Sequence, residues 1–146
     1  MAATEDAVTL ARRLLDALNR GDRSGVQTLL AETVTESAPL EPQAITGPEA
    51  VVANLWSYRN SFPDLHVDVT DGFVSGDRAA VQFTATGTYE PYTYGSHAKH
   101  VTWRGCMIVE ALAGQLVQVD TYVDWLEPVQ ELGEVAFAPF LKREGN

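Results

Sequence analysis

The chain has 146 residues, 45% of them hydrophobic and 21% charged, the make-up of a soluble globular protein long enough to bury a core without covalent staples. Ten Lys and Arg against twenty Asp and Glu leave a net charge of −10, which argues against a surface that follows nucleic-acid phosphates, because such a surface needs clustered cations. A single cysteine, Cys106, excludes an intramolecular disulfide and leaves a thiolate metal cluster without partners.

Met1 to Asp6 carries neither basic residues nor an apolar core, so no signal peptide is expected. No apolar run approaches the roughly 20 residues that span a bilayer. A cytoplasmic protein with no membrane contact is the expectation. The chain shows no repeat and no low-complexity linker, and it reads as a single domain over 1–146, with a core of about 5–134 and a C-terminal tail, 135–146.

Thr4 is the expected N-cap of a first helix, with Glu5 and Asp6 in its first turn. Ala7, Leu10, Ala11, Leu14, Leu15 and Leu18 recur at helical spacing, and Gly21 ends the run. Asp22 is placed to cap a short second helix through Val26, Leu29 and Leu30. Pro48, after Gly47, opens a third helix that carries Val51, Val52, Leu55, Trp56, Tyr58 and Arg59 to the stop at Phe62-Pro63-Asp64.

From Leu65 the period changes to two, and longer strands follow at about 77–89, 99–110 and 115–124, with Gly114 turning the last hairpin. Asp124-Trp125-Leu126-Glu127 has the form of a capping box for a short helix through Val129 and Leu132. Helices first and a meandering antiparallel sheet afterwards give an α+β domain with the helices on one face of the sheet.

The strand Arg78–Thr88 has a polar face of Gln82, Thr84 and Thr86. If both faces of a central strand are covered, that face suits a sheet curved around a ligand cavity better than a dry sandwich core.

The helix order, with Phe62-Pro63-Asp64-Leu65, Gly76-Asp77-Arg78, Gly87-Thr88, Val101-Thr102-Trp103-Arg104-Gly105 and Asp124 through Leu132-Gly133, resembles the SnoaL-like polyketide cyclases. These belong to the nuclear-transport-factor-2-like superfamily, with ketosteroid isomerase and limonene epoxide hydrolase as cousins. The resemblance covers about residues 5–134. It implies a cone, in which a bent antiparallel sheet and three helices enclose an apolar cavity. It also implies a homodimer, a hydrophobic small-molecule substrate, and chemistry that needs no metal and no organic cofactor.

The resemblance also assigns strand phase. The cyclases place an aspartate on the last strand and a histidine on the one before, and these positions hold Thr121 and Met107 here. Trp103 is in phase with Met107 and offers a flat wall and one N–H donor. Glu36 falls on the short strand after the second helix, where relatives place Asn or Tyr at the cavity wall. A carboxyl desolvated there is a candidate acid or base; the alternative is a rim glutamate.

Asp120 is the other candidate acid–base group. Period two sends Val119, Thr121 and Val123 to one face and Gln118, Asp120 and Tyr122 to the other. The family phase turns Asp120 outward, whereas a bulge near Gly114 is expected to bring it into the pocket.

Limonene epoxide hydrolase carries charged catalysts, Arg and Asp, at two of the three positions held here by Gln82, Thr84 and Thr86; the hydrogen-bonding groups of Gln82 and Thr86 are read as orienting a substrate. That disfavours an epoxide hydrolase. Tyr58 and His66 complete the substrate-binding set, His66 also reading as a surface histidine. His97 and His100 lack a third ligand for a metal. Tyr89, Tyr92 and Tyr94 flank a loop at the expected cavity mouth, and Cys106 reads as a small outward-facing hydrophobe.

These readings give a cofactor-independent cyclase or isomerase of secondary metabolism, with Glu36 or Asp120 moving the proton. A shape-steering or hydroxylase-like enzyme and a non-catalytic binding module are the alternatives.

Overall fold

The computed structural model describes residues 5–37, 43–89, 99–126 and 128. Thr4, Tyr92, Tyr94, His97, Glu127 and the expected helix through Val129 and Leu132 lie outside them.

Helix α1, Ala7–Arg20, buries Leu10, Ala11, Leu14, Leu15 and Leu18 along one stripe, as its spacing requires. Its N-cap is Asp6, whose side chain accepts from Thr9 N at 2.9 Å. These hydrogen bonds, backbone first, hold the Asp6 carboxyl below its usual pKa. Gly21 ends the helix at φ 69°, a left-handed conformation that glycine adopts without strain.

Asp22 caps α2, Arg23–Leu29, through Gly25 N. Strand β1 is Leu30–Ser37 and β2 is Ile45–Thr46. Helix α3, Pro48–Ser61, starts from Gly47 with Pro48 in its first turn. It buries Val51, Val52 and Leu55, and the guanidinium groups of Arg23 and Arg59 lie over the Trp56 ring, 5.5 and 5.9 Å from its centre, within cation–π range.

Four long strands follow: β3, His66–Ser75; β4, Arg78–Tyr89; β5, Lys99–Leu112; and β6, Gln115–Val123. The six strands form one curled sheet in the order β2-β1-β6-β5-β4-β3. The sheet is mixed rather than antiparallel throughout, because β1 returns beside β6 in parallel. Helix α1 packs against β3, β4, β5 and β6 on one face of the sheet.

The Asn19 side chain ties α1 to β3: its Nδ2 donates to Val67 O and its Oδ1 accepts from Val67 N, both at 2.8 Å. Arg59 reaches across from α3 to donate to Leu18 O at 2.6 Å, a carbonyl that also accepts from Gly21 N at 3.1 Å.

Strand phase decides which residues see the interior. On β4 the buried set is Ala79, Val81, Phe83, Ala85 and Gly87. Gln82, Thr84 and Thr86 therefore point to the outer face, and the polar face of this strand is not a cavity wall. The antiparallel part of the sheet leaves that side open to water, so ordinary alternation places its polar residues there.

Val81, Phe83 and Ala85 pair with Met107, Gly105 and Trp103 on β5, and Met107 pairs with Thr121 on β6, so these residues share the inner face. Beside them, Gly105 is needed without a side chain: a Cβ there would stand 2.5 Å from Phe83 Cζ and 2.6 Å from Tyr122 O.

A bulge fixes the phase of β6. Ala111 pairs with Leu116 but Glu110 pairs with Gln118, leaving Val117 as the extra residue. Unbroken alternation from the buried Leu116 would turn Gln118, Asp120 and Tyr122 inward. The bulge turns Val119, Thr121 and Val123 inward instead. The expectation that a bulge here would bring Asp120 into the pocket is thus reversed.

Candidate functional site

A cavity of about 60 Å³ lies between α1, α3 and the inner face of the sheet. Leu15 and Leu18 come from α1, Leu65, Val67, Phe83, Ala85, Met107 and Val123 from the sheet side, and Asn54, Leu55 and Tyr58 from α3. Glu36, Trp103, Thr121 and Trp125 complete the lining.

Glu36 is the chemical centre of this surface. Period two along β1 places it on the same buried face as Val34, and only 2% of it is exposed. An apolar residue would be the inexpensive choice at such a position, since burying a carboxyl costs energy unless it is hydrogen-bonded. The Asn54 amide Nδ2 donates to Glu36 Oε1 at 2.8 Å. Asn54 and Tyr58 are four residues apart, one turn along the face that α3 turns to the cavity. Glu36 is the one carboxyl group among the described lining residues.

The aromatic side chains form a row. Trp125 lies 6.4 Å from Tyr58 at an interplanar angle of 13° and 6.2 Å from Trp103 at 23°. Phe62 meets Trp103 at 4.9 Å and Tyr89 at 5.9 Å, both tilted. Next to this row, Asp64 clamps the helix-to-sheet turn onto β4: Oδ1 accepts from Thr88 N at 2.6 Å and Oδ2 from Thr88 Oγ1 at 2.7 Å. Those two bonds, the backbone one first, hold its carboxyl below the usual value.

The structure thus brings Glu36, Tyr58, Trp103, Met107 and Thr121 to one cavity and leaves four residues of the expected set elsewhere. Asp120 pairs with Ile108 on the outer face, where its Oδ2 accepts from Gln118 at 2.7 Å and its Oδ1 is buried without a partner. Gln82 is exposed on the same face, and Thr86 stands in a row with His66 and Thr102. His66 is exposed and bonded to Asp68. All four lie one residue out of phase with the inner face.

Asn54 and Trp125 are among the lining residues that the expected set did not contain. Asn54 lies one turn before Tyr58, a spacing that marked it. Trp125 continues the series Thr121, Val123 by period two, past the end of the strand. Among the described residues no three His, Cys, Asp or Glu side chains gather as a metal site, and no helix is long and apolar enough to cross a membrane.

Chemically, the site offers one buried carboxyl group, a phenol, a threonine hydroxyl and an amide within apolar, aromatic walls. Three helices on a curled six-stranded sheet, enclosing such a cavity, make the α+β cone of the nuclear-transport-factor-2-like proteins.

The SnoaL-like domain model matches residues 11–119, and the chain belongs to that family. No curated protein sequence matches it significantly. Its fold is shared with AclR, a proposed hydroxylase from Streptomyces galilaeus (21% identity, 86% of this chain and 93% of that one, TM-score 0.73). It is shared also with a proposed SnoaL-like polyketide cyclase from Jannaschia sp. CCS1 (20% identity, 90% and 97%, TM-score 0.74). A limonene-epoxide-hydrolase-like epoxide hydrolase of M. tuberculosis is similar as well (18% identity, 91% and 95%, TM-score 0.71).

Proposed function

We propose that the protein is a cofactor-independent enzyme of secondary metabolism that moves a proton on a hydrophobic, polyketide-like cyclic substrate held in the cone. The observation that carries this reading is Glu36, a carboxyl group 2% exposed, hydrogen-bonded by Asn54 and facing a mainly apolar cavity. A fold under selection for stability alone would place an apolar residue there.

In this reading Glu36 removes a proton from a carbon next to a carbonyl, and the electron pair of that C–H bond moves to the carbonyl oxygen as an enolate. Where a C=C bond lies β,γ to the carbonyl, the charge spreads to the γ carbon, and return of the proton there gives the conjugated isomer. Alternatively, the enolate carbon attacks a second carbonyl and closes a ring, and the new alkoxide takes the proton back from Glu36. The Tyr58 and Thr121 hydroxyls line the same cavity and are the candidate donors to the developing oxyanion.

The test is turnover of a candidate cyclic ketone by wild type and Glu36→Gln. The substitution keeps the shape and removes the proton acceptor, and kcat is expected to fall at least about a hundredfold. Undiminished turnover would sink the assignment and favour an enzyme that steers a reactive substrate by the shape of its aromatic walls. Binding without turnover by either form would favour a non-catalytic module.

We infer a homodimer formed through the outer sheet face. Phe73 and Tyr122 are 67% and 55% exposed there, around a concavity that also holds Asp71, Arg104 and Asp124. A patch with an aromatic centre and both signs of charge is suited to pack against a second copy of itself about a twofold axis.

A further inference from the structure

The cavity and its aromatic row differ in what they can accommodate. About 60 Å³ of space is far below the several hundred Å³ of a pocket that encloses a ring system. Yet the rings of Tyr58 and Trp103 both stack, offset, on the Trp125 indole, at interplanar angles of 13° and 23°. A flat ligand held by the Tyr58 and Trp103 rings would make the contacts that this side chain of the protein makes.

The three rings are not equally fixed. Trp103 lies mid-strand, is 4% exposed and is braced by Phe62 at 4.9 Å; Tyr58 stands on α3. Trp125 comes after the last pairing of β6 with β5, between Gly105 and Val123. The Asp124 N to Arg104 O bond, 2.9 Å, is the last backbone tie before it, and the next residue, Leu126, is 58% exposed. Of the three rings, Trp125 alone stands outside a helix or strand.

We propose that Trp125 is an exchangeable plug: a flat aromatic ring system enters the cavity by replacing the Trp125 indole between Tyr58 and Trp103. The exchange conserves the stacking contacts and the apolar cover of both walls. Saturated rings of the same size cannot reproduce it, so Trp125 sets both the size and the flatness of what is accepted. The inference rests on the cavity being the binding site, and is independent of the proton transfer assigned to Glu36.

The experiment titrates 1-naphthol and its saturated counterpart, decahydro-1-naphthol, into the whole chain by calorimetry. Neither probe carries a carbonyl, so binding is read apart from turnover. Wild type is expected to bind naphthol and to discriminate against the saturated alcohol. Trp125→Ala, which removes the competitor, is expected to bind naphthol about tenfold tighter, because the open state no longer has to be selected.

In wild type, naphthol is also expected to red-shift the tryptophan emission as Trp125 moves into water. Trp125→Phe should lack that shift, and this comparison stands if Trp125→Ala fails to fold. Weaker binding by Trp125→Ala would make Trp125 a wall of the bound site and overturn the proposal. So would equal affinity for the two alcohols, no naphthol binding, or a red shift that persists in Trp125→Phe.

Discussion

Glu36 and Gly105 show how single positions are spent on the cavity. Glu36 occupies a site that alternation along β1 reserves for an apolar side chain, and Asn54 supplies a hydrogen bond that makes its burial tolerable. Gly105 gives the floor its shape, because Phe83 lies across the space where a Cβ would be. The second clash is with the Tyr122 carbonyl, a backbone atom that cannot yield without loosening β6 from β5. Gly105→Ala is therefore expected to cost about 1–3 kcal/mol, seen as a lower urea midpoint at unchanged slope; a wild-type midpoint would show that the floor can give way.

At this scale the strand phase implied by the family resemblance, rather than local alternation alone, put Trp103, Met107 and Thr121 on the inner face. Glu36, Tyr58, Trp103, Met107 and Thr121 share the cavity. Gln82 and Thr86 were misplaced by supposing that the sheet is covered on both faces. The plain alternation of Val81, Phe83 and Ala85 carried the correct answer.

Among the elements, the helices were legible from their spacing and from Gly21, Asp22 and Pro48, although the first N-cap is Asp6 and not the expected Thr4. Two features of the sheet were not. The bulge at Val117 uses neither glycine nor proline, so nothing in the residue types marks it. The parallel return of β1 beside β6 joins segments more than eighty residues apart, and depends on packing that no local pattern records.

The turn between α3 and β3 carries a pH prediction. Asp64 is bonded twice by Thr88, which lowers its pKa in the folded state. A group with a depressed folded pKa stabilises fully above its unfolded value, about 3.9, and loses that contribution as the pH falls through its folded value. Asp64→Ala is thus expected to melt below wild type at pH 7, with the gap closing in acid below that window. Thermal melts across the series check this, and a gap independent of pH would assign the loss to packing instead.

The molecule as a whole has two unlike sides: an inner face with one acid, and an outer face with exposed aromatics and mixed charge. A chain with a net charge of −10 repels its own copies at long range, so self-association must come from local contacts such as the exposed aromatics and mixed charges of this patch. Sedimentation is expected to show a dimer that weakens as salt is lowered, and Tyr122→Glu is expected to give a folded monomer. A wild-type monomer at high micromolar concentration would remove the proposed interface.

The bond pair between Asn19 and Val67 has a further consequence. Strand β3 is an outermost strand, and a bare sheet border invites another chain to add itself as the next strand. The Asn19 carboxamide offers one acceptor and one donor at the spacing of a peptide group, and both bonds go to the backbone of Val67. A side chain on a helix thereby acts as a stub of a seventh strand. It occupies the border at Val67, where another chain would otherwise find a free donor and acceptor.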